Sequence, residues 1–424
     1  MDQGKTGRFI AAVRRERGYT QRALAEALGL SEKTVSKWEC GKGLPEPGYM
    51  LPLCQLLGVS VNELLEGERI PLADMIRKME DNMAALVQQI GHEQLRQRLY
   101  KLYGLEAGSI RTARFGAGSL TYLVDCAGES YVVKYPSENS MNHPEAEPAL
   151  CEFLLGAGVS VCRFLPDLHG RMISADENGR LFHVQRLLPG ETLPYHSAPP
   201  WLMERSAALL ADIHRALLDY PTLPTGIGGE FFRRRTPERT LAGYGNTLRR
   251  AEEAGHGEMA EEIRSNMEIL RRFPSYEFDT QRLTMVNTHG DYTITQLLCG
   301  EGQINAVIDW TTACVHPAVW EVMRSYVYAS PLCARGEIDI GDLLDYVRAY
   351  LIRFPLTDYD LENMGRLFFY FTAVCDFYGQ YLGAMTPNRD IYWQQARLSS
   401  GLLRWFEGHN DELTEALRRL GRGR

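Results

Sequence analysis

The stretch His289-Gly290-Asp291-Tyr292-Thr293-Ile294-Thr295-Gln296, followed by Val307-Ile308-Asp309-Trp310, decides how this chain is read. Ile304 to Ile308 is an apolar run that reads as a strand carrying Asp309 to its end, eighteen positions after Asp291. Either acid alone is an ordinary turn residue. A loop acid followed at this distance by a strand-end acid is a far rarer arrangement. Upstream, Lys134 lies in the apolar run Tyr131-Val132-Val133-Lys134-Tyr135, where an ammonium group is costly unless a carboxylate meets it. Lysine is scarce in this chain: it occurs at positions 5, 33, 37, 42, 78, 101 and 134, and every later basic residue is arginine or histidine.

These motifs resemble the catalytic loop and metal-binding Asp of the aminoglycoside phosphotransferase and choline kinase superfamily, whose pattern is HxDxxxxN and then an apolar-flanked Asp. The resemblance implies a small-molecule phosphotransferase that uses ATP or GTP and Mg²⁺. Such chemistry needs a carboxylate near the nucleophile and oxygen ligands for the cation. Asp291 would then take the proton of the acceptor hydroxyl, His289 would brace the loop, and Asp309 and Gln296 would hold Mg²⁺. Gln296 departs from the usual Asn; the donor atom is the same on an arm one carbon longer. Lys134 would grip the nucleotide phosphates, with Glu147 as its partner and Glu145 as the fallback. Gly116, Gly118 and Ser119 in Phe115-Gly116-Ala117-Gly118-Ser119 would cover the phosphates. Gln185 and Leu187 in Gln185-Arg186-Leu187-Leu188-Pro189-Gly190 would belong to the hinge that meets the base. The acceptor class stays open among aminoglycosides, sugars and amino-alcohols; Asp376, Tyr378 and Tyr381 are pocket candidates. An inactive domain that senses a ligand or nucleotide for a repressor is the alternative function.

The periodicity agrees with a bilobal kinase arrangement. Short β runs at Ile110 to Phe115, Leu120 to Cys126 and Tyr131 to Tyr135 are followed by a helical stretch from Glu145 to Leu155. Further strand-like runs surround Met172 to Ser174 and Phe182 to Leu187, and helices dominate after Gly190 apart from the Thr284 to Trp310 island. The expected domains are a head over 1–68, a helical connector over 69–105, a sheet-rich lobe over 106–190 and a helical lobe over 191–424. The fold class is multidomain: an all-α head plus an α+β kinase-like domain.

In the head, short helical patterns run from Ile10 to Arg17, Gln21 to Leu28, Glu32 to Cys40, Gly48 to Leu57 and Asn62 to Leu65, with Thr20 and Ser31 placed as caps. Thr20-Gln21-Arg22-Ala23-Leu24-Ala25, Leu28-Gly29-Leu30-Ser31 and Thr34-Val35-Ser36-Lys37-Trp38-Glu39 resemble the Cro/C1-type (XRE) helix-turn-helix family. That resemblance implies double-stranded DNA as partner. The helix opening at Glu32 would present Glu32, Lys33, Thr34, Ser36 and Lys37 to a major groove, and Gln21 and Lys42 to phosphates. Tight binding by such a head calls for a homodimer on a two-fold site.

Charge is distributed accordingly. Residues 1–45 carry nine Lys/Arg and five Asp/Glu, whereas residues 201–424 carry 24 Arg and 30 acids, within a net charge of −8 over 424 residues. A chain with 45% hydrophobic and 24% charged residues buries ordinary cores. Its nine cysteines show no CxxC pair, and no apolar run reaches the roughly 18 residues of a membrane span. A cytoplasmic location without membrane partners is expected.

Overall fold

The computed structural model describes residues 3–59, 61–68, 91–113, 120–136, 146–383 and 389–423. The chain divides into two compact units, Met1–Leu95 and Arg96–Arg424. Most of the expected connector, and Gly116, Gly118, Ser119 and Glu145, lie outside the described residues. Among the described residues no helix is long and apolar enough to cross a membrane.

The first unit contains α1 (Gln3–Glu16), α2 (Gln21–Ala27), α3 (Glu32–Glu39), α4 (Pro47–Leu57) and α5 (Val61–Glu66). Thr20 Oγ1 accepts the Ala23 N–H at 3.0 Å and Ser31 Oγ accepts the Thr34 N–H at 3.3 Å, so both capping expectations hold. Gly29, at φ 68°, makes the left-handed turn between α2 and α3. Ile10, Val13, Leu24, Val35, Leu53 and Leu57 form the core. α1 begins earlier than its apolar pattern, because Gly4 and Gly7 carry no periodic signal. Gly7 is there for packing: a Cβ on it would stand 2.3 Å from the Trp38 carbonyl oxygen, so α1 crosses α3 backbone to backbone.

The second unit opens with helix α6, which ends at 103. A sheet follows, built from β1 (Ser109–Ala113), β2 (Leu120–Cys126), β3 (Glu129–Tyr135), β4 (Phe164–Leu165), β5 (Ser174–Ala175) and β6 (Leu181–Arg186). Its antiparallel order is β1-β2-β3-β6-β4, with β5 also on β6. Ala127 and Gly128, both at positive φ, close the two-residue hairpin between β2 and β3. Between β3 and β4 comes α7 (Ala146–Gly156).

The helical part comprises α8 (Pro200–Ala216), α9 (Gly229–Arg234), α10 (Pro237–Glu253), α11 (Gly257–Arg271), α12 (Ala318–Ala329), α13 (Ile340–Leu351), α14 (Asp358–Ala373), α15 (Phe377–Gly383) and α16 (Arg389–Arg422). Short strands frame the loops that carry chemistry. β7 (Glu191–Thr192), β9 (Leu297–Gly300) and β10 (Gln303–Val307) form one ladder, and β8 (Met285–Thr288) pairs with β11 (Cys314–Pro317). β7 and β11 carried no sequence signal, being only two and four residues long. Trp310, Tyr292, Tyr326, Tyr346, Phe368 and Phe406 are fully buried in the core of this part. A parallel bridge from Val161 to Val307, with the Val307 N–H on the Ser160 carbonyl at 2.9 Å, sews β10 to the chain after α7.

Candidate active site

β8 delivers the chain to His289, whose ring is fully buried. His289 Nε2 donates to the Ile308 carbonyl at 2.9 Å, and Nδ1 accepts the Asp291 N–H at 3.3 Å. One imidazole therefore spans the two motifs: it holds the residue before Asp309 and the backbone of Asp291 together, in a single tautomer. Gly290 sits at φ 81°, and a Cβ there would stand 2.0 Å from the Thr312 carbonyl oxygen, so only glycine fits. The Ile308 N–H returns to the Gln296 carbonyl at 2.9 Å, which brings Gln296 beside the end of β10.

Behind the loop stands Glu321 of α12, with no exposed surface. Its carboxylate accepts the Gly290 N–H at 2.6 Å, the His289 N–H at 3.2 Å and His214 Nε2 at 2.9 Å; His214 Nδ1 in turn meets the Tyr350 hydroxyl at 2.7 Å. Burial opposes its charge, but the His214 hydrogen bond and the neighbouring imidazoles hold the carboxyl below its ordinary value. No sequence signal marked Glu321 as the clamp of this loop, since it falls at an inward position of an apolar helix.

Asp291 Oδ1 accepts both Nε (3.1 Å) and Nη2 of Arg324, again from α12, while Oδ2 meets Gln296 Nε2 at 3.4 Å. Arg324 is a second residue that sequence reading missed. Asp309 adopts φ 63°, a left-handed conformation that a non-glycine residue keeps only where its surroundings impose it. Its Oδ1 accepts the Thr311 hydroxyl at 2.6 Å and is paired with Lys134 Nζ. Burial opposes the Asp309 charge, yet Lys134 and Thr311 bring the carboxyl down to about 2. Burial likewise works against the Lys134 ammonium, and the Asp309 and Glu147 charges more than offset it, leaving its pKa raised.

The direct partner of Lys134 is thus Asp309 and not Glu147. Glu147 is fully buried near the start of α7, where its Oε1 accepts the Trp310 N–H at 3.1 Å and so anchors the segment after Asp309. Its Oε2 has no hydrogen bond among the described residues and lies 3.8 Å from Nδ1 of the buried His183. Burial raises the Glu147 carboxyl to about 7 and lowers His183 to about 3.

Other expectations are redirected. The Gln185 side chain is buried in β6, between β3 and β4, and the Leu187 N–H is committed to the Ser130 carbonyl at 2.9 Å. Asp376 is a structural joint, accepting Thr247 Oγ1 at 2.6 Å and the Gly379 N–H at 2.7 Å, and the buried Tyr378 meets Ser400. In the first unit Gln21 Nε2 donates to Glu39 Oε2 at 2.7 Å, within a buried network in which Arg14 also binds Glu39. One Gln21 donor is therefore used internally. Glu32, Lys33, Lys37 and Lys42 are exposed, Ser36 is partly so, and the Thr34 hydroxyl shares a 2.9 Å contact with Ser31.

Fold and site together define a kinase-like phosphotransferase domain joined to a helix-turn-helix head. Residues 109–361 match the phosphotransferase enzyme family (APH), to which the chain belongs, and residues 10–64 match the helix-turn-helix family. The chain is similar to the SPbeta prophage-derived uncharacterized HTH-type transcriptional regulator YonR of Bacillus subtilis (strain 168), 31% identical over 98 residues, which are 23% of this chain and 91% of that protein. It is also similar to the transcriptional activator BcrR of Enterococcus faecalis, 38% identical over 61 residues, 14% of this chain and 30% of BcrR. Among solved structures, the microcompartment-associated aminopropanol kinase superposes with a TM-score of 0.52 at 14% identity, covering 76% of this chain and 98% of that one. Amicoumacin kinase hAmiN, solved with AMP-PNP and Ca²⁺, gives 0.50 at 13% identity, covering 73% and 92%. At such identities these two establish the fold alone.

Proposed function

We propose that the second unit transfers the γ-phosphoryl group of ATP or GTP to a hydroxyl of a small molecule, and that the head binds double-stranded DNA. The observation that carries the first part is the His289 bridge, which joins the Asp291 backbone to the strand end bearing Asp309. Asp291 Oδ2, the oxygen not used by Arg324, accepts the acceptor proton. The acceptor oxygen then bonds to the γ-phosphorus as its bond to the β-bridging oxygen breaks, releasing the nucleoside diphosphate. Lys134 holds the phosphates after exchanging part of its contact with Asp309 for them.

Mg²⁺ fits the donors present. Asp309 Oδ2 and the Gln296 amide oxygen are hard oxygen atoms with no hydrogen bond among the described residues. Mg²⁺ takes one or two protein oxygens and completes its shell with phosphate and water. When bound it supplies charge neutralisation on the phosphates. In the head, the exposed Lys33, Lys37 and Lys42 support phosphate contacts, and Glu32, Thr34, Ser36 and Gln21 line the same helix starts.

The test is Mg-ATP and Mg-GTP consumption by the full chain across a panel of hydroxy compounds. Asp291→Ala lowers turnover by about 10² to 10⁴ while nucleotide still raises the melting temperature. Nucleotide stabilisation without turnover on any compound overturns the transfer reading and leaves a sensor domain.

A further inference from the structure

Next to Asp291 the acceptor side carries a positive charge that the transfer chemistry does not require. Arg324 Nε and Nη2 both bind Oδ1, so Oδ2 stays available to a hydroxyl, and Nη1 has no hydrogen bond among the described residues. The Arg324 side chain is 16% exposed and that of Asp291 29%, so both reach open space. The guanidinium is held in place: its carbon lies 4.7 Å from the Tyr328 ring centroid and 5.5 Å from that of Trp320. Tyr195 packs on Tyr328 at 5.0 Å, with its hydroxyl beside those of Thr293 and Thr295, giving a neutral hydrogen-bonding wall.

Two acids of the helical lobe are committed to arginines. Glu258 is paired with Arg397 and Glu262 with Arg404. The cleft of about 1210 Å³ that starts at Tyr195 and His196 is lined by Arg335, Arg397 and Arg404 against Glu262, Glu337 and Asp339. Neither Arg324 nor Asp291 lines that cleft; a polycation that reaches Asp291 itself meets a fixed guanidinium beside the carboxylate.

We propose that Arg324 recognises an anionic group on the acceptor, so that the substrate class is a hydroxy compound bearing a carboxylate or phosphate close to the hydroxyl that is phosphorylated. The word acceptor rests on the phosphotransferase reading; anion binding at Arg324 does not. With Nε and Nη2 on Asp291, the guanidinium offers its Nη1 donors to either oxyanion as a charge-assisted hydrogen bond.

The full chain with Mg-AMP-PNP is melted in the presence of D-glycerate, glycerol 3-phosphate, kanamycin or aminopropanol, and Mg-ATP consumption is followed with the same four. The expected result is a rise of about 2 °C or more with an anionic probe and consumption at least about tenfold faster with it than with either cation. D-Glycerate alone identifies a carboxylate, glycerol 3-phosphate alone a phosphate. Arg324→Gln abolishes the shift and raises KM by about tenfold or more, and Arg324→Lys, a point charge, gives an intermediate loss. If both variants fail to fold, the four wild-type arms decide. An anion-dependent shift lost in Arg324→Gln without any ATP consumption supports the anion site and refutes transfer. The proposal is overturned by an equal or larger response to kanamycin or aminopropanol, by no wild-type response to either anion, or by an anion shift that survives in Arg324→Gln.

Discussion

Replacing Glu321 by Gln changes one atom of a fully buried side chain and tests whether the catalytic loop is held from behind. Glu321 Oε1 accepts the Gly290 N–H, while Oε2 accepts the His289 N–H and faces His214 Nε2. A carboxamide offers one acceptor oxygen. Whichever way it is turned, its NH₂ faces a buried backbone donor. An unsatisfied buried donor costs about 1–3 kcal/mol, and losing the charge on the remaining bond costs about 1 kcal/mol more, for a total near 3 kcal/mol. For a unit of this size that is about 5 °C of melting temperature. The loop also shifts, because its two amides no longer converge on one carboxylate; a displacement of about 1 Å at Asp291 lowers transfer about 10²-fold. Lys134 lies outside this network, so the nucleotide-induced rise in melting temperature persists. Thermal melts with and without AMP-PNP, together with transfer rates, give the answer. A melting temperature within about 1 °C of wild type, or an unchanged rate, refutes the clamp.

Gly290→Ala forces a Cβ to 2.0 Å from the Thr312 carbonyl at φ 81°, and the expected loss exceeds about 2 kcal/mol together with transfer, read by melting temperature and turnover. The Glu147 carboxyl, raised by burial to about 7 from 4.5, binds its proton more tightly in the folded state. Its stabilising contribution is therefore complete below 4.5 and declines as pH rises through 7, by about 3 kcal/mol. The fall in melting temperature from pH 5 to 7.5 should shrink when Glu147→Gln removes the group, and parallel pH trends for wild type and variant would contradict the assignment. Lys33→Ala and Lys37→Ala should each weaken DNA binding across sequences and reduce the slope of log K against log salt by about 1; titrations at several salt concentrations measure it, and an unaltered slope removes these lysines from the interface.

Much of the chain was readable from short-range features. Thr20 and Ser31 cap their helices because a cap needs only a side-chain oxygen and an amide three residues on. The β2–β3 hairpin and the αL turn at Gly29 are likewise local events. Asp291 and Asp309 stood out through a loop and strand of defined spacing, and the structure brings them together through His289.

Partnerships across long separations depended on tertiary packing. Glu321 and Arg324 lie 31 and 33 residues from their loop partners Gly290 and Asp291, on a helix whose pattern announces only burial. Lys134 was recognised by the cost of a charge in an apolar strand, but its partner is 175 residues away rather than on the nearby α7. The net acidity of the helical lobe gives no location for its charge, and only the structure shows that Glu258 and Glu262 are paired with Arg397 and Arg404. Sequence by itself determined which residues are dear to bury and where the chain turns, since those costs are local. Which carboxylate meets which cation was decided only by tertiary packing, with α12 bringing Arg324 to Asp291 and β3 bringing Lys134 to Asp309.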